Sequence, residues 1–226
     1  MEQERSVLRW GGLAGMLGSV LMVVTFVFVG VFVTTETSAA YLIERFPEMR
    51  AGRTVENGLL LAALILWVPH FLALCRALWR ESLAPALFGS VLGILGLIVM
   101  MAEALPHVAQ IPLSDLYHAP GTTPEEQATL VFLWEATMGI INMMLVTGLL
   151  LVPIGIICLG VAMLRAPAFG KGFGAASVVL GALGFGGASL MWIEPASILG
   201  PVFSLFTITI FHFALGWKVY SLSRVP

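Results

Sequence analysis

The sequence predicts an all-α, polytopic transmembrane bundle of six helices with both termini in the cytoplasm. Three observations predict it. Of the 226 residues, 59% are hydrophobic and only 11% are charged, where a soluble domain carries about 25% charged residues. Mean hydropathy is +0.98. Six apolar stretches, at about 11–33, 57–79, 84–104, 129–164, 173–193 and 197–217, are each long enough for the roughly 20 residues that a bilayer core requires. They form a single transmembrane domain over residues 1–226.

The first stretch follows Arg5 and Arg9. Its apolar run is too long for the core of a secretory signal, and five more spans follow, so it reads as a membrane helix. Orientation comes from the lysines and arginines. With six spans and an inner N-terminus, the inner segments hold Arg5, Arg9, Arg76, Arg80, Arg165, Lys171, Lys218 and Arg224, and the outer segments only Arg45, Arg50 and Arg53. The outer side takes the acids instead: Glu36, Glu44, Glu48, Glu56, Glu103, Asp115, Glu125, Glu126, Glu135 and Glu194.

The second and third spans run from about 57 to 79 and 84 to 104. The fourth is too long for one membrane crossing. Thr123-Pro124-Glu125-Glu126 is a helix start, with a cap, a proline at the first position and acids at the positive end of the dipole. A helix from there to Arg165 is about 60 Å long, twice the hydrocarbon thickness. Splitting it would move the C-terminus outside and spoil the charge asymmetry, so one helix kinked at Pro153 is expected. Its outer part then packs against loops 34–56 and 105–128, which are partly apolar (Tyr41-Leu42-Ile43, Phe46, Ile111-Pro112-Leu113) and make a small outer cap.

Glycines recur at four-then-three spacing on three spans: Gly11, Gly15 and Gly18 on the first, Gly89, Gly93 and Gly96 on the third, Ser177, Gly181 and Gly184 on the fifth. Small-residue faces let helices approach closely in lipid. The first, third and fifth spans are therefore expected to form the tight centre of the bundle or a subunit interface. The shared spacing also suggests three repeated hairpins. Trp10, Trp79, Trp192 and Trp217 fall near span ends, as interfacial anchors do.

Ionisable groups at membrane depth are the first candidates for function. His70 and His212 fall at similar depths and, with Glu135 and Asn142 of the fourth span, are candidates for a ligand site or proton pathway. The two histidines are also a candidate haem pair. Thr209, one turn before His212, and a carbonyl freed by Pro69 are candidate partners for neutral imidazoles. At the outer face Glu103, His107, Glu135 and His118 are candidate ligands for a divalent metal. Glu103 and His107 share a helical face only if the helix survives Pro106. No cofactor is required by the sequence, and catalytic residues are unknown. HExxH, CxxC and Walker motifs are absent. Cys75 and Cys158 make no disulfide framework, and a net charge of −2 gives no reason to expect nucleic acid.

The Arg9/Gly12 entry into the first span, the end of the second span (Pro69, then Cys75-Arg76-Ala77-Leu78) and the turn between the fourth and fifth (Pro167, Lys171-Gly172) resemble a bacterial family of six-helix membrane proteins described only as a domain of unknown function. The resemblance implies a six-helix fold, and the expected location is the cell (inner or plasma) membrane. It implies no activity. Three function classes are thus open: a subunit that binds a partner or a hydrophobic ligand, alone, as a homo-oligomer or in a larger membrane complex; a membrane metalloenzyme or redox protein using the histidines or outer carboxylates; and a small transporter, for which Pro69, Pro153 and Pro201 are the pointers to broken helices. Membrane lipid is a partner in each.

Overall fold

The computed structural model describes residues 2–32, 38–194 and 199–224. Among these every regular element is a helix: α1 (Glu2–Phe32), α2 (Ala39–Leu78), α3 (Leu83–Ala102), α4 (Ala104–Tyr117), α5 (Pro124–Leu164), α6 (Gly170–Ile193) and α7 (Leu199–Leu222). Six helical stretches are long and apolar enough to cross a membrane, the third combining α3 and α4. The protein is a multi-pass membrane protein. Glu36, counted above among the outer acids, lies outside the described residues.

The expected loop 34–56 is a helix from residue 39 onward. Ser38 caps it by accepting from the Tyr41 backbone amide, and α2 then runs 40 residues through Pro47 and Pro69. Most of the expected loop 105–128 is α4. Helix α5 is a single element of 41 residues, continuous through Pro153 and opened by a full capping box between Thr123 and Glu126. At about 60 Å each, α2 and α5 outrun the hydrocarbon core. Their projecting ends would strand apolar side chains in water, and α4 lies against both and removes them. Leu42, Ile43, Phe46 and Trp134 form this second core, flanked by Ile111, Leu113 and Tyr117. Phe46 and Trp134 meet edge to face at 5.2 Å. The cap is therefore helical, where loops were expected.

The break between α3 and α4 has a local cause. A proline ring collides with the carbonyl four residues earlier. For Pro106 that carbonyl belongs to Ala102, where α3 ends. Pro106 itself falls in the first turn of α4, where its missing N–H is not needed.

The expected centre of the bundle is corrected. Helices α1, α3 and α6, which carry the glycine faces, make no contact with one another among the described residues. Instead α2, α5 and α7 meet at the middle, and each glycine-bearing helix lies in the groove between two of them: α1 between α2 and α7, α3 between α2 and α5, α6 between α5 and α7. A glycine face lets a neighbour's side chain or its backbone come close, and each of these faces is filled by the helices beside it. On α1, Gly11, Gly15 and Gly18 receive Ala73, His70 and Trp67 of the antiparallel α2. On α3, Gly93 receives the ring of Phe71. On α6, Gly181 receives Ile157 and the Pro153 carbonyl, and Gly184 faces Thr207 and Pro153. Glycines also meet glycines: between α3 and α5, a Cβ on Gly89 would stand 2.7 Å from the Gly155 oxygen and one on Gly96 3.0 Å from the Gly148 oxygen, and Gly160 meets Gly174 between α5 and α6 and Gly187 meets Gly200 between α6 and α7. Ser177, fully buried on the same α6 face, donates to the Phe173 carbonyl at 2.8 Å. These faces are packed against helices of the same chain.

The termini lie at one end. Glu4 of α1 pairs with Arg76 at the end of α2 at 2.5 Å, and Gly12 abuts Gly216 and Tyr220 of α7. Trp10, Trp79 and Trp217 are exposed at this end and Trp192 at the other. Both cysteines are free thiols.

Candidate functional site

The structure brings His70 and His212 together in the main core. Both are fully buried. Their ring centroids lie 5.0 Å apart at an interplanar angle of 83°. Trp67 stacks on His212 at 4.3 Å, nearly parallel, and Phe71 meets it edge-on at 4.9 Å. None of the four imidazole nitrogens has a hydrogen-bond partner among the described residues, nor does Trp67 Nε1. Thr209 is not the expected partner, because its hydroxyl donates to the Leu205 carbonyl at 2.7 Å. The carbonyl freed by Pro69 is likewise not used by either imidazole. Two imidazoles holding one haem iron from opposite faces would stand roughly 6 Å apart with a porphyrin between them. Here the rings meet edge to face inside an aromatic cage, so this pair does not accommodate a haem. It behaves as packed aromatic surface, with α1 dense against it through Gly15, whose backbone touches His70 Nδ1.

The outer candidates separate. Glu135 and Asn142 are exposed on α5, and neither reaches the histidine pair. His118, at the end of α4, directs Nδ1 at the Ser114 carbonyl (2.8 Å) and Nε2 at the Glu44 carbonyl (3.0 Å). Only one nitrogen of a neutral imidazole donates; with the Ser114 carbonyl against one ring nitrogen and the Glu44 carbonyl against the other, His118 is a tie between α4 and α2. Asp115 adds to that tie by meeting Arg50 at 3.3 Å. Glu103, His107, Glu135 and His118 therefore do not assemble, and among the described residues no cluster of three or more metal-binding side chains exists.

Glu103 and His107 do stay together, at the junction of bundle and cap. His107 Nδ1 donates to the Glu103 carbonyl at 3.1 Å, which leaves Nε2 free to face a cleft of about 220 Å³ between α2 and α4. Phe46, Leu61, Val108 and Ile111 supply its apolar walls, and Arg53, Thr54, Asn57, His107 and Gln110 its polar groups. Further in, a recess of about 10 Å³, room for about one water, shares Asn57, Leu61 and Ala104 with the cleft and is lined by Glu103. Glu103 is only 6% exposed. Its Oε2 has no hydrogen-bond partner. Glu56 is near enough to repel it. Arg53, half-buried, is held by Glu56 at 2.9 Å.

Compared with protein-family models, curated proteins and solved structures, the chain gives no match.

The sequence reading missed Arg53 and Glu56 as site residues because they fall in the stretch taken for a loop, and Asn57 because it opens the second span and was not singled out. Their spacing held the signal: Arg53, Glu56 and Asn57 are three and four apart, on one helical face, directly before an apolar run. What the cleft can do chemically is bind. Apolar walls with a few convergent polar groups at one end are the features of a ligand site. Donors are present in Arg53, Asn57 and Gln110, and one carboxylate stands without an answering charge.

Proposed function

We propose that this protein binds an amphiphilic molecule beneath its outer cap, with the apolar body between α2 and α4 and the polar head among Arg53, Asn57, Glu103 and His107. One observation carries the reading: a cleft of about 220 Å³ lies where the two separate cores meet. A dry cavity of about 150 Å³ is enough to hold benzene, so this one has room for a ring or a short chain. The lining matches an amphiphile, whose apolar part suits Leu61, Val108 and Ile111 and whose head suits the polar groups toward Glu103.

The orientation follows from eight Lys and Arg residues on the side of the termini against three on the side of the cap. That puts the cap outside and both termini in the cytoplasm. Membership of the bacterial family it resembles would make the location the inner (plasma) membrane. Within such a membrane the protein serves as a binding or accessory subunit, with lipid-like molecules as the first class of ligand, working alone, as a homo-oligomer or within a larger complex.

Gly58 gives a clean test. It lines the cleft, and a Cβ there would meet nothing within 4 Å, so Gly58→Leu fills the space without disturbing a helix contact. Native mass spectrometry of the protein in mild detergent is expected to show a bound amphiphile on the wild type and its loss in Gly58→Leu. Equal occupancy in the two proteins would refute the reading.

A further inference from the structure

Acids outnumber cations at the polar end of this cleft. Among the described residues Arg53 is the one Lys or Arg in its lining, and Glu56 already holds it. Glu103 is then left over. It is a carboxyl buried at the inner end of the site with an oxygen that accepts from nothing, beside a second carboxylate and under apolar walls. Isolated buried carboxylates are costly. Such a group is relieved in two ways, by a proton or by a cation brought in from outside. A small hydrated ion would need several oxygen ligands, and the walls here are mostly carbon. An organic cation brings its own apolar surface, which suits those walls, and a donor or a diffuse charge, which suits Glu103.

We infer that the cleft selects amphiphiles with a cationic, amine-type head, and that Glu103 is the counter-charge that selects them. This rests on the amphiphile-binding reading above and narrows it. The ammonium group would sit in the recess in place of a proton or water, with Asn57 as a second polar contact, and the apolar part would lie against Leu61, Val108 and Ile111. The head can belong to a free amine or to an amine-bearing lipid. The chemistry at Glu103 is the same.

The test uses three probes of one shape on the full chain in nonionic detergent, by isothermal titration calorimetry: benzylamine, benzyl alcohol and benzoate. Benzylamine is expected to bind about tenfold or more tightly than the alcohol, as a buried charge pair implies, and benzoate more weakly than either. Glu103→Gln keeps the shape of the side chain and is expected to bring benzylamine to the affinity of the alcohol. Gly58→Leu, which leaves Glu103 in place, is expected to abolish binding of all three. Displacement of benzylamine by phosphatidylethanolamine, and not by phosphatidylglycerol, would support the inference with a lipid as the source; no displacement by either would support it with a free amine. Equal affinities for the three probes, a preference for benzoate, or an unchanged preference in Glu103→Gln would overturn the inference while leaving an amphiphile site. No binding of any probe to the wild type, or binding that Gly58→Leu leaves intact, would remove the amphiphile reading itself.

Discussion

Gly155→Ala is the substitution that most directly tests how the bundle is held. Gly155 lies on α5 against α3. A Cβ there would come 2.5 Å from the Gly89 carbonyl oxygen, 2.7 Å from the Gly93 nitrogen and 3.1 Å from the Gly93 Cα. All three neighbours are backbone, so no rotamer change can make room. Non-bonded heavy atoms rest at about 3.5–4.0 Å, and the two helices must therefore part by about 1 Å. A gap of that size forfeits about a quarter to a half of each dispersion contact along the interface, and dispersion is the main attraction between helices in lipid. Alanine recovers up to about 1 kcal/mol in helix propensity. Overpacking of this kind costs about 1–3 kcal/mol, so the net expectation is destabilisation, at the lower end if α3 tilts and at the upper end if it cannot. The control is Gly139→Ala on the same helix, where a Cβ meets nothing within 4 Å. Reversible unfolding in mixed micelles by increasing dodecyl sulfate is expected to rank Gly139→Ala at or above wild type and Gly155→Ala below it. If the two variants unfold together, α3 and α5 do not approach at Gly89 and Gly155, and the argument from reciprocal glycines is wrong.

Two further outcomes are expected. His212→Leu, close to histidine in volume, removes two unpartnered nitrogens together with the stack on Trp67, and these effects nearly cancel, giving a change within about 1 kcal/mol. His212→Ala opens a cavity and costs about 2–5 kcal/mol in the same unfolding assay. A large loss in the leucine variant would mean that the imidazole nitrogens have a partner. The orientation is checked by placing single cysteines, in a background lacking Cys75 and Cys158, at Thr122 in the cap and Lys171 in the first turn of α6. A membrane-impermeant maleimide added to intact cells should label the first and spare the second, and the reverse pattern would invert the topology.

Much of the architecture was legible in the chain. Hydrocarbon thickness is a fixed ruler, so apolar run length gave six crossings. The Thr123-Pro124-Glu125-Glu126 start located α5 because capping is a contact among neighbours in sequence. What misled the reading of 39–56 was polarity. Its charged residues made it look like a loop, but Glu44, Arg45, Glu48 and Arg50 are exposed on a helix whose Leu42, Ile43 and Phe46 face α4 and α5. The functional candidates divided in the same way. Glu103 and His107, four apart on adjoining helices, stayed together. His118 and Glu135, placed beside them by composition alone, did not.

The sequence by itself determined membrane residence, the number of crossings, the charge asymmetry and the glycine spacing, because each depends only on local chemistry or on a length compared with the bilayer. The tertiary structure alone decided which helices sit at the centre, that the glycine faces are packed against neighbours within the chain, and that His70 meets His212 in an aromatic cage. It also decided that Glu103 ends without an answering charge below a cleft that α2 and α4 build together. Those outcomes turn on which faces of separate helices meet, and a contact between residues far apart in the chain leaves no mark in the spacing of either one.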